Sequence, residues 1–284
     1  MSTILLLSCA ATSTAQSLCP TDADYARRVI ISTPGVYRVK IPQGAKYAYV
    51  IGIAGGGGGG STQINGADGD STTVDGVVIA RGAPGANGLR LEGQAYAFAA
   101  GGVGSQTSPP AGAGNSSARS AESGESVESS PLTAAGITSS GVIPGGQAVV
   151  DPEPYRRSDG GGGGASSCGA GGNGGSVSSP AGQSAAASAY GAGGGGGYGS
   201  VPHEGGSGGF GSVAQAKLLD LTAKRQLLVH IGRGGRGAPE VPRTIAASGN
   251  GGDGYAAIIF LSGPIDAGQD AVSPISAQDA KQNK

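Results

Sequence analysis

The chain has little of what most binding and catalytic proteins depend on. It contains no tryptophan, one methionine and only 13% charged residues in 284, whereas an ordinary globular domain carries about 25% charged residues. The formal net charge is −1 and the basic residues are scattered, which excludes the basic surface that binds nucleic acid. No apolar run approaches the roughly 18 residues of a transmembrane helix. We therefore expect neither nucleic-acid binding nor membrane insertion.

Groups for catalysis and metal binding are also scarce. The three cysteines, Cys9, Cys19 and Cys168, lack the spacing of a metal site, and we expect free thiols rather than a Cys9–Cys19 bridge. The two histidines, His203 and His230, offer few general bases, and no Gly-Lys-Ser/Thr phosphate loop is present. The sequence predicts no catalytic site, no metal and no cofactor.

Glycine dominates what is present. There are 59 glycines, concentrated in runs at residues 55–60, 160–164, 191–199, 205–211 and 249–254. A chain rich in glycine, serine and alanine is usually disordered because it buries too little apolar surface. Here, however, 37% of the residues are hydrophobic, and they form alternating segments between the glycine runs. This interleaving favours a folded domain with glycine-rich insertions.

The alternating segments predict β-strands. In residues 36–41 and 46–54, Tyr37, Val39 and Ile41 share one face, and so do the odd-numbered residues from Tyr47 to Ile53. We expect these two segments to form a hairpin, and residues 213–222 and 226–232 to form a second. Further strands are predicted at residues 28–32, 72–81, 94–99 (weakly) and 255–261. The fold class is therefore all-β, an antiparallel β-sandwich of jelly-roll-like type.

The glycine runs have a structural explanation of their own. Glycine chains can adopt the polyproline-II backbone, whose N–H and C=O groups point sideways toward neighbouring chains. If buried, those groups must be paired, and packed glycine helices can pair with one another where no side chain intervenes. Collagen lacks support because there is no strict three-residue glycine period. A flexible linker would lie between domains and not between strands. We expect inserted polyglycine-II helices and long glycine-rich loops.

The chain divides into three predicted parts. Residues 1–32 form an N-terminal docking segment, residues 33–262 the glycine-rich sandwich, and residues 263–284 a polar C-terminal tail. Residues 105–159 are a long exposed insertion rich in Ser, Pro, Ala and Gly. A cleaved secretory signal ending near Ala15 is the alternative for the N-terminus, although no Lys or Arg precedes its short apolar core.

Three stretches carry a family resemblance: GVYRVKIPQGAKYAYVIGIAGGGGGG, GGFGSVAQAKLLDLTAKRQLLVHIGRGGRG and GNGGDGYAAIIF. Together they resemble the glycine-rich domain of bacteriophage tail proteins over residues 34–261. The resemblance implies a virion tail-fibre or tail-tip protein made in the host cytoplasm, a homotrimer or the cap of a trimeric fibre. The N-terminal segment would dock to other tail proteins. The long insertion and the N-terminal residues have no counterpart in that pattern.

The remaining prediction is recognition of a host receptor, either a polysaccharide or an outer-membrane protein, by loops on a rigid scaffold. The candidate residues are aromatic or basic positions in an apical polar stretch and between the glycine runs: Tyr155, Arg156, Arg157, Tyr190, Tyr198, His203 and Phe210. The structural alternative is that these rings merely cover the glycine bundle. The alternative functions are a purely structural virion protein and a secreted bacterial surface protein.

Overall fold

The computed structural model describes residues 28–61, 64–86, 123, 126–129, 141–148, 159–199, 205–243 and 246–262. Within these ranges the protein is all-β and contains no helix, as the sequence predicts. Two four-stranded antiparallel sheets form a sandwich-like body, and two further strands form a small separate sheet.

The strands are short and are separated by long glycine-rich segments. In chain order they are β1 (Arg28–Ile31), β2 (Gly35–Lys40), β3 (Tyr47–Ile53), β4 (Thr72–Val74), β5 (Val77–Ala80), β6 (Val127–Ser129), β7 (Gly141–Ile143), β8 (Gln215–Asp220), β9 (Gln226–Ile231) and β10 (Tyr255–Leu261).

Strand pairing in the two large sheets is nested. The first sheet has the order β1-β10-β3-β8 and the second has the order β2-β9-β4-β5. If the small β6–β7 sheet is set aside, the first strand pairs with the last, the second with the next to last, and so on inward to β4 and β5. The long strand β10 is central, with Ile258 opposite Val29 on one side and Val50 on the other.

Both hairpins predicted from the sequence are wrong. β2 pairs with β9 in one sheet, whereas β3 pairs with β10 and β8 in the other. β8 and β9 are likewise separated between the sheets. The short connections at residues 41–46 and 221–225 are therefore corners that cross from sheet to sheet. At the first corner Ile41 donates to the Arg225 carbonyl and Lys46 to the Leu261 carbonyl. Alternation defines which face of a strand is buried, but it does not define the neighbouring strand.

One hairpin was missed. The segment predicted as a single strand at residues 72–81 is two strands joined by Asp75 and Gly76, which have φ angles of 49° and 79°. Two consecutive positive φ values are the signature of a two-residue type I′ turn, for which Asp-Gly is a preferred sequence. The dipeptide was therefore a readable signal between Val74 and Val77.

The predicted strand faces are confirmed. The core between the two sheets includes Val39 from β2, Val229 from β9 and Ile258 from β10. It also holds Leu227 and Ile231, and Tyr37 and Ile41 pack against it. The outer face of the first sheet is apolar as well. There Ile51, Ile53, Tyr255, Ala257, Ile259 and Leu261 form a second cluster, against which Tyr47 and Tyr49 pack.

Two of the predicted parts, the N-terminal segment and the long insertion, contain strands. Residues 28–31 lie in the first sheet, against β10, so the sandwich takes in a strand that was assigned to the N-terminal docking segment. Within the predicted exposed insertion, β6 and β7 form a small ladder with Val127 opposite Ile143, and Ile143 and Ala148 are buried. Residues 1–27, the weak strand at 94–99 and the tail at 263–284 lie outside the described residues.

Candidate functional site

The glycine-rich segments between the strands associate into one hydrogen-bonded body, called here the glycine bundle. Its segments are residues 55–60, 66–70, 82–86, 145–148, 159–165, 171–176, 180–185, 191–198, 205–212, 232–238 and 246–254.

Residues 55–60, the central segment, donate hydrogen bonds with a period of three residues. The N–H groups of Gly55 and Gly58 bind the segment at 66–70. Those of Gly56 and Gly59 bind the segment at 246–254, and those of Gly57 and Gly60 bind the segment at 205–212. The six N···O distances are 2.8–3.0 Å. Each step along the chain therefore turns the donor to a different neighbour, and every third residue returns to the same one.

The carbonyl groups of the central segment follow the same period. Gly55 and Gly58 accept from the segment at 82–86, and Gly56 and Gly59 accept from the segment at 232–238. Gly57 accepts from Gly194 in the segment at 191–198. Donors and acceptors together thus join the central segment to neighbours on all sides, which satisfies its buried backbone without a sheet ladder.

Residues 191–198, the second central segment, repeat this arrangement. Gly193 and Gly196 donate to the segment at 159–165, Gly194 to Gly57, and Gly195 to Gln183. Carbonyls of the same segment accept from the segments at 171–176, 205–212 and 246–254. Because the two central segments bond to each other, the bundle is one continuous network.

Side chains cannot enter the interior of this network. A Cβ built on Gly57 would lie 1.8 Å from the Pro84 carbonyl oxygen, and one on Gly196 would lie 1.9 Å from the Gly206 oxygen. Real Cβ atoms do not approach backbone oxygens this closely. Glycine is therefore required at these positions for close approach of backbones, independently of its conformational freedom.

Side-chain oxygens cap the margin of the bundle. Asn250 and Asp253 accept from the N–H groups of Gly237 and Gly234, at 2.9 and 3.0 Å. Asp68 accepts from Gly85 at 2.8 Å and Ser71 from Gly82 at 3.1 Å. Both pairs of caps are three residues apart, the same period as in the interior. These polar side chains therefore pair with backbone N–H groups of the glycine-rich segments.

The bundle has a proximal end at the sandwich and a distal end away from it. Gly55 lies two residues after β3, and a turn in which Ser61 donates to the Ile64 carbonyl reverses the chain at the far end. A second distal turn joins Ser176 and Ser179. The distal end therefore consists of turns, and these turns connect glycine segments that have no side chains between them.

The structure separates the predicted recognition residues. Tyr198 is half-buried at the distal end, where its N–H donates to Pro180 and its carbonyl accepts from Ala246. Tyr190 lies at the proximal end, with its ring centroid 5.1 Å from that of Tyr255. Phe210 is only 4% exposed. Phe210 is therefore buried and Tyr190 is half-buried against Tyr255, and a receptor contact by either ring stays a prediction.

Four candidates, Tyr155, Arg156, Arg157 and His203, lie outside the described residues. The described residues that flank them are distal. Ala148 and Asp159 border the first gap, and Gly160 pairs with Gly175, which pairs with Gly196 near Tyr198. Gly199 and Gly205 border the second gap. The other histidine, His230, is half-buried on β9, opposite Val36 and Thr73.

A polar cleft of about 450 Å³ opens beside the distal turn at Ser176. Sequence reasoning did not find it, because its residues come from three separate glycine-rich segments. Its lining residues are Gln147, Ala148, Asn173, Gly174, Ser176, Ser179 and Gln183. The only available signal was that Asn and Gln interrupt otherwise small-residue stretches.

Titratable groups at the proximal end are shielded from water. Burial raises the pKa of the Cys168 thiol to about 11, and Cys168 is free. Burial, with smaller effects from neighbouring groups, raises the pKa of Tyr255 to about 12. At neutral pH both groups are protonated, and Cys168 therefore lacks the thiolate that a nucleophile requires.

Two kinds of feature are absent from the described residues. No three His, Cys, Asp or Glu side chains converge there as a metal site would require. In that same part of the chain, no helix is long and apolar enough to span a membrane.

Comparisons of this chain with protein-family models, with curated protein sequences and with solved structures found no match.

Proposed function

We propose that this chain is a non-enzymatic component of a phage tail, of tail-fibre or tail-tip type, which recognises a receptor on the host surface. The observation that carries the proposal is the hydrogen bonding of residues 55–60. Successive N–H groups bind different neighbouring segments, and the same segment is bound again at every third residue. This hydrogen bonding makes a rigid body without interior side chains, and that body holds a set of distal turns away from the sandwich. Recognition by loops on a rigid support is the usual arrangement of binding proteins.

We further propose that the glycine segments are polyglycine-II helices. The polyproline-II backbone has three residues per turn and no internal hydrogen bonds. A period of three in the donors and acceptors of residues 55–60 and 191–198, directed at different neighbours, is what such helices would produce.

We also propose that the sandwich is a jelly roll. An eight-stranded jelly roll consists of two sheets with Greek-key connections. The nested pairing of β1 with β10, β2 with β9, β3 with β8 and β4 with β5 supports this assignment.

In this proposal the distal end binds the receptor on the host surface. Tyr198, an aromatic residue at that end, would contact the receptor. The N-terminal segment docks to other tail proteins, and the chain acts as a homotrimer or as the cap of a trimeric fibre. A purely structural virion protein is the second candidate. The packing of Tyr190 on Tyr255 and the burial of Phe210 favour it, because these rings stabilise the bundle.

Binding of fluorescently labelled protein to candidate host cells tests the proposal. We expect saturable binding that is weakened in the Tyr198→Ala variant. Binding should be unchanged in Val36→Ala, whose side chain is 64% exposed on the sandwich. Folded protein that binds no host strain would contradict receptor recognition and favour the structural role. Binding that is weakened equally by both substitutions would contradict the distal location.

A further inference from the structure

The polar cleft lies between three segments of the bundle. Gln147 and Ala148 come from the first segment, Asn173 and Gly174 from the second, and Gln183 from the third. The second segment is hydrogen-bonded to Gln147 and to Gln183. The cleft's volume of about 450 Å³ falls in the range of small-molecule sites, about 300–1,000 Å³. Ser176 and Ser179 of the distal turn also line the cleft.

The chemistry of the lining is neutral and polar. Its side-chain functional groups are amides and hydroxyls, and none of the residues that line it carries a charge or an aromatic ring. Amide side chains offer both donors and acceptors, and so do hydroxyls. A charged ligand would find no countercharge among these residues, and an apolar ligand would leave their polar groups unpaired, which is costly. The lining matches a ligand whose own groups are both donors and acceptors.

Asn173 holds the two walls in place. Its Oδ1 accepts from the Gln147 N–H at 2.8 Å, and its Nδ2 donates to Gln183 Oε1 at 3.1 Å. The backbone adds further ties, because Gly174 donates to the Gln147 carbonyl and Gln183 donates to the Asn173 carbonyl. Gln183 itself lines the cleft, and its side-chain amide nitrogen is a donor with two hydrogens. A cleft whose walls are fixed beforehand loses less free energy on ordering when it binds.

We propose that this cleft binds a neutral saccharide unit, whose hydroxyl groups match the amides of Gln147 and Gln183. The inference rests on the proposed receptor recognition and names the receptor chemistry as a neutral glycan. An acidic glycan or an outer-membrane protein loop is not the ligand of this cleft.

The experiment measures binding of the full chain to a printed panel of neutral and acidic oligosaccharides, followed by titration of the best neutral binder. We expect binding to neutral members, weakened about tenfold in the Gln147→Ala/Gln183→Ala double variant, since each lost hydrogen bond contributes modestly. Gln215→Ala is the matched control, because this exposed glutamine lies on β8 in the sandwich. If the double variant does not fold, Gln147→Ala alone is used instead. This single variant should fold, because the hydrogen bonds described for Gln147 are made by its backbone.

The outcomes separate this inference from the proposed function. No binding to neutral members, preference for acidic members, or equal binding by the cleft variants and the control would each overturn the saccharide site. If the cleft variants still bind host cells as the wild type does, receptor recognition stands and the cleft inference fails. If the wild type binds the glycan but no host cell, the cleft stands and receptor recognition fails.

Discussion

The Lys224 Nζ atom lies 2.6 Å from Asp75 Oδ2, which ties the β4–β5 turn to the corner between β8 and β9. Asp75 also accepts from the Leu228 N–H at 2.7 Å through Oδ1, and its own N–H donates to the Leu228 carbonyl. One turn residue therefore connects a local hairpin to a crossing between the two sheets.

Replacing Asp75 tests this connection. Asp75→Ala loses both side-chain hydrogen bonds and places alanine at a φ of 49°, so we expect the free energy of unfolding to fall by about 2 kcal/mol. Asp75→Asn keeps an acceptor for Leu228 and tolerates the left-handed backbone, and it should cost less than 1 kcal/mol because the lost ion pair is partly exposed. Urea unfolding measures the stability of both variants. If the two substitutions lower the free energy of unfolding equally, the Asp75 side chain has no stabilising hydrogen bond to Leu228.

The same contact predicts a pH dependence. Partial burial raises the pKa of Asp75, but hydrogen bonds from Lys224 and the Leu228 amide, with the Lys224 charge, outweigh it and lower the pKa below its ordinary value. A depressed folded-state pKa stabilises the fold above the unfolded pKa of about 3.9, and this contribution is lost as the pH falls through the lower folded value. The stability difference between wild type and Asp75→Asn should therefore shrink below about pH 4. A difference that is constant from pH 7 to pH 3 would contradict this prediction.

Substitution within the central segment should be far more damaging than substitution at a turn glycine. In Gly57→Ala the new Cβ would meet the Pro84 oxygen at 1.8 Å, so we expect a loss of at least about 3 kcal/mol, as for severe overpacking. Gly44→Ala is the control, because its φ is 84° but nothing lies within 4 Å of the added Cβ. It should cost about 1 kcal/mol.

Gly60→Ala gives an intermediate case if Gly57→Ala does not fold. Its Cβ would lie 2.8 Å from the Ala86 oxygen, so its stability should fall between the other two. Thermal unfolding of the three proteins measures the order. A Gly57→Ala protein as stable as Gly44→Ala would mean that the bundle is not packed backbone to backbone.

Thr72 joins the sandwich to the bundle. Its fully buried Oγ1 donates to the Ile53 carbonyl at 2.8 Å and accepts from the Gly232 N–H at 3.3 Å. Thr72→Val leaves both backbone groups without this partner and should cost about 2 kcal/mol, whereas Thr72→Ser keeps the hydroxyl. If the valine variant unfolds at the same denaturant concentration as the serine variant, the hydroxyl has no structural role there.

Cys168 should react slowly in the folded protein. A pKa raised from 9.0 to about 11 reduces the thiolate fraction at pH 8 about a hundredfold. Alkylation with iodoacetamide, followed by peptide mass spectrometry, reports Cys168 separately from the other cysteines, and reaction after unfolding in urea is the control. Equal rates before and after unfolding would show that the thiol is accessible.

Part of this structure was readable from the sequence because local patterns report local physics. Alternation predicted the buried faces of Val39, Val229 and their neighbours, since side chains alternate across a strand. The placement of glycine runs between strands predicted that they pack rather than link. The Asp75-Gly76 turn was equally local and was missed.

The rest depends on chain segments that are distant in sequence. β2 and β3 are separated by a short turn, yet β2 pairs with β9 and β3 pairs with β10. Which strand each one pairs with depends on how the two sheets bury a common core. The alternation of apolar and polar residues within one strand carries no information about that. The polar cleft likewise needs Gln147, Asn173 and Gln183 to meet through the bundle, and the burial of Phe210 follows from the same packing.

The most direct test of the proposed function is protection from infection. Purified, folded protein is added in excess to candidate host cells before phage, and plaques are counted. We predict fewer plaques in proportion to the protein added, because the protein occupies the receptor that the phage requires. Unchanged plaque numbers on a host that the phage infects, with the protein shown to be folded and assembled, would contradict receptor recognition.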